Sequence, residues 1–78
     1  MPKDSYVLSI WIVYDHPHDM PDYYVARRFE VRRGHSGPTD DVLTAPTLEA
    51  LRSFLVRLGL YRLDRNEGDD AKIVESWL

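Results

Sequence analysis

The segment from Ser5 to Tyr14 constrains the fold more than any other part of the chain. Seven of its ten positions carry a β-branched or aromatic side chain. A run of this composition that ends at Asp-His-Pro predicts a strand that is apolar on both faces. We therefore expect this strand to lie in the centre of a sheet.

A polar segment separates this strand from a second one. Residues 15–22 include Pro17 and Pro21, and since proline has no N–H to donate to a strand ladder, the segment is predicted to be a loop. From Tyr23 to Arg33 apolar and polar residues alternate, which is typical of a strand with one solvated face. Arg27 is an exception, because it falls on the apolar side.

The middle of the chain predicts a turn, a short edge strand and a helix. Glycines and proline over residues 34–38 indicate the turn, and residues 41–45 are compatible with a short strand. Thr47 is a suitable N-cap, leucines then recur at helical spacing, and Gly59 supplies a left-handed stop. We expect the helix to lie between Thr47 and Gly59.

The last part of the chain predicts a polar connection over residues 64–70 and a strand over residues 71–78. A right-handed crossover through the helix would place this last strand beside the first. The predicted fold is α+β and comprises residues 1–78 as one small domain. It has an antiparallel sheet of three to four strands, in the order second, first and last, with one helix packed on one face.

Length and composition restrict the function classes. A chain of 78 residues buries only about 60% of the surface that its unfolded form exposes, so we expect marginal stability. The absence of cysteine excludes disulfides, thiolate metal sites and a thiol nucleophile. A net charge of -3 argues against general binding to nucleic acid phosphates. No signal-peptide or membrane-spanning pattern is found, so the predicted location is the cytoplasm, without membrane contact.

One helix covers only one side of a sheet, and the other side of this sheet is not polar. If Ile10 and Ile12 face the helix, Trp11 and Val13 face away from it. A monomer rarely leaves an aromatic patch of this kind open. The predicted interface residues on the open face are Trp11, Val13, Tyr24, Arg28 and Trp77.

A homodimer that buries sheet against sheet is the leading interpretation of this face, because it enlarges a small core. Docking of another protein or of a small ligand is the second interpretation. Stacking of single-stranded nucleic acid on the rings is a third, which the acidic charge balance disfavours. A fourth is that loops cover the face.

The loop of residues 15–22 contains His16, His18 and Asp19, which are residue types that bind Zn, Ni or Fe. Their spacing matches no known site, and the intervening proline leaves the geometry loose. A solvated loop is therefore the first interpretation and a metal site the weaker one, and we predict no cofactor. A calcium-loop-like spacing over residues 64–75 fails, because its glycine falls one position too early.

Arg27 and Arg28 are the second candidate site. A lone guanidinium among apolar neighbours is costly to bury, so Arg27 is predicted to form an ion pair with Glu75 or with an aspartate of the loop. The functional alternative is an anion or carboxylate clamp formed by Arg27 and Arg28 at the sheet edge. No nucleophile with its base is recognisable, so the sequence does not support an enzyme.

Four segments resemble a set of short bacterial proteins of unassigned function over most of the chain. These segments are residues 14–17, 25–28, 59–62 and 73–78, with the sequences YDHP, VARR, GLYR and IVESWL. The resemblance implies a bacterial or phage origin and a shared fold, but no activity, cofactor or site.

A looser resemblance links Tyr24-Val25-Ala26 in a strand and Thr47-Leu48-Glu49 at a helix start to the partial RNase-H-like domain of the HicB antitoxins. It implies a chain that binds and neutralises a partner protein, here without an appended DNA-binding helix-turn-helix. The leading prediction is therefore a non-enzymatic interaction module that forms a homodimer. An antitoxin or inhibitor module that binds a partner protein, and a metal- or ligand-binding protein using the 15–22 loop, are the alternatives.

Overall fold

The computed structural model of the protein describes residues 8–64 and 71–78. These residues form five strands and one helix in the order β1 (Leu8–Asp15), β2 (Tyr24–Arg32), β3 (His35–Ala45), α1 (Leu48–Arg57), β4 (Arg62–Asp64) and β5 (Ile73–Trp77). The strands make one antiparallel sheet in the order β3-β2-β1-β5-β4. The predicted α+β class, an antiparallel sheet with one helix, is confirmed.

The sheet is wider than predicted. β1 lies in its centre and pairs with both β2 and β5, as its two-sided apolarity indicated. The predicted order of second, first and last strand is found in the middle of the sheet, but β3 and β4 extend it at the two edges. The predicted first residues of β1, numbers 5–7, lie outside the described residues.

The edge strand β3 is longer than the predicted strand of residues 41–45. Gly34 has a positive φ of 74°, which glycine adopts without steric cost, and the turn closes so tightly that His35 already pairs with Arg32. Residues 35–38, predicted to be part of a turn, therefore belong to β3. Pro38 is tolerated there because an edge strand has one side without ladder hydrogen bonds.

The helix is found where its sequence signals place it. The Thr47 Oγ1 accepts a hydrogen bond from the Ala50 N–H at 3.2 Å, and Gly59 follows the helix with φ 79°. β4, which comes after this helix, was not predicted, because three residues are too few to show a periodicity. Within the part of the chain that the structure describes, no helix is long and apolar enough to cross a lipid bilayer.

The helix packs on the face of the sheet opposite to the predicted one. Leu51 and Leu55 of α1 are buried in a single cluster with side chains from four strands. The buried members of this core are Trp11, Val13, Ala26, Ala45, Leu51, Leu55 and Trp77. The sequence interpretation that left this face open was therefore wrong.

The predicted interface residues are consequently parts of the core or of its border. Trp11, Val13 and Trp77 are buried beneath α1, and Tyr24 packs against the same cluster. Arg28 pairs with Trp11 in the ladder and lies on the same side of the sheet. The small side chains of Ala26 and Ala45 leave room for the helix to approach this face. This explains why α1 packs on this face rather than on the opposite one.

Candidate functional site

The face of the sheet opposite α1 carries an apolar patch that the described residues do not seal. In the ladder, Leu8 lies opposite Val31 and Ile10 opposite Phe29. The exposed fraction is 45% for Leu8 and 43% for Val31, so much of their surface is in contact with water. We define the apolar patch as Leu8, Ile10, Ile12, Phe29, Val31 and Val42.

An ion pair lies within this patch, between Ile12 of β1 and Val42 of β3. Arg27, opposite Ile12 in the ladder, donates a hydrogen bond to Asp19 of the 15–22 loop, and its guanidinium carbon lies 6.0 Å from the centre of the Tyr14 ring. The hydrogen bond from Arg27 holds the pKa of the Asp19 carboxyl below its usual value. The predicted pairing of Arg27 with an aspartate of this loop is confirmed, and the pair ties the loop to the sheet.

Arg28 points to the other side of the sheet and is separately neutralised. Its Nε donates to Asp41 at 2.7 Å, and its Nη1 lies 3.1 Å from Ser9 Oγ and 3.1 Å from Glu30. The hydrogen bond to Asp41 raises the pKa of the Arg28 guanidinium. Since Arg27 and Arg28 lie on opposite faces and each binds a carboxylate, the structure does not bring them together as one anion clamp.

The irregular part of β3 holds Arg28 in place. Arg27 pairs with Val42 and Phe29 with Pro38, so residues 39–41 lie opposite Arg28 alone. In this bulge the Thr39 hydroxyl donates to the Arg28 carbonyl at 3.0 Å and accepts from the Asp41 N–H at 3.1 Å. The bulge thus positions the Asp41 carboxylate against the guanidinium.

The metal-ligand candidates of the 15–22 loop are engaged with other groups. His16 has a positive φ of 47°, its Nδ1 hydrogen-bonds to Asp15, and its ring meets the Tyr24 ring edge-on at 4.8 Å. His18 is exposed, and Asp19 binds Arg27. Across residues 8–64 and 71–78, no three His, Cys, Asp or Glu side chains are grouped to hold a metal ion.

The one buried charged residue among those that the structure describes is Glu75, which is 3% exposed as a whole residue and faces α1. Arg52 donates to its two carboxylate oxygens from Nε at 3.2 and 3.0 Å and from Nη2 at 2.6 Å. Trp77 Nε1 donates a further hydrogen bond at 2.8 Å. Burial raises the pKa of the Glu75 carboxyl, but the bonds from Arg52 and Trp77 outweigh it and hold this pKa below its usual value.

A groove lies on the helix side, between α1 and β3. It is lined by Leu43, Phe54, Arg57 and Leu58 and has a volume of about 260 Å³. A second, shallower depression of about 430 Å³ lies along the outer surface of α1, between Glu49 and Arg57. Both are open surface features rather than enclosed cavities.

The sequence interpretation missed the apolar patch, the Arg52–Glu75 pair and the groove. Glu75 carried a usable signal, because it is two residues from Trp77 in an apolar strand, so it shares the face of Trp77 and needed a partner there. Ile10 and Ile12 were correctly assigned to the face opposite Trp11. The patch was missed because the helix was expected to cover the face of Ile10 and Ile12. The groove depends on how α1 sits on β3, for which the sequence has no local signal.

Comparison of the chain with protein-family models, with curated proteins and with solved structures gave no match. The resemblances to short bacterial proteins and to HicB antitoxin domains therefore stay predictions.

Proposed function

We propose that this protein is a non-enzymatic interaction module that forms a homodimer through the apolar patch. The observation that carries the proposal is the asymmetry of the sheet: α1 covers one face, whereas Leu8, Val31 and Val42 on the other face keep 37–45% of their surface exposed. Contiguous exposed apolar surface on a small protein marks an interaction site. A second copy of the chain is the occupant that we propose.

The dimensions of the patch fit a weak dimer. Strands lie about 4.8 Å apart and rise about 3.3 Å per residue, so the three strands that carry the patch present a face of about 14 by 26 Å over the length of β1. Two such faces have about 750 Å² of projected area, which lies in the range below about 1,200 Å² that is typical of weak interfaces. The accessible area is larger than this projection because side chains are not flat.

The charges within the patch are compatible with such packing. Arg27 is already paired with Asp19, so a second sheet that covers it buries a neutralised pair and not a lone cation, which would be costly. Packing across a two-fold axis also places the same patch on both sides of the interface, so apolar side chains of one copy meet apolar side chains of the other. Burial of apolar surface is then the main stabilising contribution to the dimer.

The test is the solution mass by light scattering over a dilution series from about 1 to 100 µM, which spans the Kd range of ordinary dimers. We expect a mass near twice 9.1 kDa for the wild type. The Ile10→Lys variant places a charge in the centre of the patch. The Val31→Lys variant places a charge at a more exposed position of the patch, where the side chain is less critical for folding. Both are expected to be monomers.

The matched control is Val56→Lys, which makes the same chemical change on α1, where Val56 is 60% exposed. We expect Val56→Lys to remain a dimer, and circular dichroism to show that all three variants are folded. A wild type that is a monomer throughout the series overturns the proposal. So does dissociation by Val56→Lys with no effect of Val31→Lys, because the interface would then lie on the helix side.

The alternative partner is a different protein, as the HicB resemblance implies. The segments that carry this resemblance lie at the start of β2 and at the start of α1, a strand followed by a helix. If this alternative is right, the wild type co-purifies from its host as a heterocomplex of fixed ratio and the Val31→Lys variant does not. A neighbouring toxin-like reading frame is the cheapest observation that favours it.

A further inference from the structure

The groove between α1 and β3 has an apolar interior and a size that suits one side chain. Phe54 of α1 and Leu58, the C-cap of this helix, are four residues apart, so they lie on the same side of it. Leu43 of β3 packs against the buried core and forms a fixed opposite wall. The volume of about 260 Å³ is below the range of about 300 to 1,000 Å³ that is typical of small-molecule sites, which favours a single anchoring side chain over a whole ligand.

The walls of the groove are exposed although they are apolar. Phe54 is 42% exposed and Leu58 is 56% exposed, and both lie beside a concave surface rather than on a flat one. Anchoring aromatic or aliphatic side chains in such pockets supplies much of the binding energy of protein interfaces. The groove therefore has the shape and chemistry of a receptor for one large apolar side chain.

Arg57 supplies the second element of recognition. It lines the groove, is exposed, and makes no ion pair or hydrogen bond within the described residues. In contrast, Arg52, on the same helix, is occupied by Glu75. A guanidinium binds a carboxylate with two parallel hydrogen bonds, so Arg57 favours an acidic group at the mouth of the groove.

We propose that this groove binds a segment of a partner protein in which an aromatic or leucine side chain is next to an Asp or Glu. The apolar side chain enters between Phe54, Leu58 and Leu43, and the carboxylate pairs with Arg57. The groove lies on the helix side of the sheet, whereas the apolar patch lies on the other side. Binding in the groove is therefore independent of dimer formation, and either proposal can fail without the other.

The experiment uses two probes with the same ring and opposite charge, indole-3-propionate and tryptamine. Each is titrated into ¹⁵N-labelled protein, and amide chemical shifts are followed by NMR. Fragments of this size bind with a Kd on the order of 1 mM. We expect indole-3-propionate to shift residues of the groove and to bind about fivefold more tightly than tryptamine, as an exposed ion pair of ordinary strength allows.

Three variants make the test specific. Arg57→Gln is expected to remove the preference for the carboxylate probe, and Arg57→Glu to reverse it in favour of tryptamine. Arg32→Gln is the control, because it removes one positive charge at a distant position of β2. Equal binding of the two probes, shifts outside the groove, or no saturation up to about 10 mM, ten times the expected Kd, overturns the proposal.

Discussion

Arg52 of α1 and Glu75 of β5 form an ion pair that joins the helix to the strand next to β1. The three nitrogen-to-oxygen distances are 2.6 to 3.2 Å, and the Glu75 side chain is only 4% exposed. Because Trp77 also donates to this carboxylate, the charge of Glu75 is satisfied inside the core. The pair therefore helps to select the face of the sheet on which α1 packs.

Replacing Arg52 by methionine leaves the buried Glu75 carboxylate without its main partner. We expect Arg52→Met to lower the free energy of unfolding by about 2–4 kcal/mol, since breaking a buried pair costs more than the pair itself contributes. The measurement is urea denaturation followed by circular dichroism. The matched control is Arg57→Met, also on α1, for which we expect a change below about 1 kcal/mol.

The double variant Arg52→Met with Glu75→Leu tests the physical reason. When both charges are removed together, no buried carboxylate is left unpaired, so the double variant should be more stable than Arg52→Met alone. A double variant that is less stable than Arg52→Met would mean that the carboxylate stabilises the fold through its other partners, Trp77 and Arg62, rather than through Arg52.

The lowered pKa of Glu75 makes part of the stability dependent on pH. The pKa in the folded protein lies below the usual value, which is about 4.3 in an unfolded chain. The unfolded state therefore binds the proton first, and the contribution of Glu75 is full above about pH 5 and is lost as pH falls through the folded pKa. We expect the stability difference between wild type and Glu75→Gln to shrink from pH 6 towards pH 3.

Urea denaturation of both proteins across this range measures that difference. The comparison is needed because Asp19 and Glu30 also have lowered pKa values, and their contributions cancel in the difference. A difference that is constant, or that grows as the solution becomes more acidic, contradicts the assignment.

Two glycines with positive φ predict a specific cost of substitution. An added Cβ meets nothing within 4 Å at Gly34 or Gly59, so the only strain of an alanine there is the backbone conformation. We expect Gly34→Ala and Gly59→Ala each to lower the free energy of unfolding by about 1 kcal/mol. Gly37→Ala is the control, because Gly37 has no positive φ and an added Cβ would make only an ordinary contact at 4.0 Å. Similar losses at all three positions, measured by urea denaturation, would refute this explanation.

The sequence predicted the elements whose signals are local. The N-cap at Thr47, the stop at Gly59 and the two-sided apolarity of β1 each depend on a few neighbouring residues, and each was confirmed. The face on which α1 packs was not predictable in this way, because β1 is apolar on both sides and Tyr24 and Val25 leave both faces of β2 apolar at its start. The face on which α1 packs depends on the small side chains of Ala26 and Ala45 beneath the helix, and these two residues are far apart in the sequence.

The candidate site shows the same limit. Arg27 was expected to pair with Glu75 or with an aspartate of the loop, and it pairs with the loop aspartate Asp19. The contact of Glu75 with Arg52 joins positions 23 residues apart, and no local sequence pattern around either residue predicts this pairing. The edge strand β3 was predicted too short, over residues 41–45, because Gly37 and Pro38 are typical turn residues, although an edge strand accepts both.

Trp11 and Ile10 are adjacent in β1 but lie on opposite faces, and their variants test the assignment of the faces directly. Trp11 is buried in the core beneath α1, so Trp11→Ala should lower the free energy of unfolding by about 3–5 kcal/mol. Ile10 lies in the apolar patch and is only partly buried, so Ile10→Ala should cost about 1 kcal/mol in the monomer. Urea denaturation at a protein concentration where light scattering shows monomers measures both changes without a contribution from dimer formation. If Ile10→Ala is the more destabilising of the two, α1 packs on the face of Ile10 and Ile12, and Trp11 and Val13 return as the candidates for the open face.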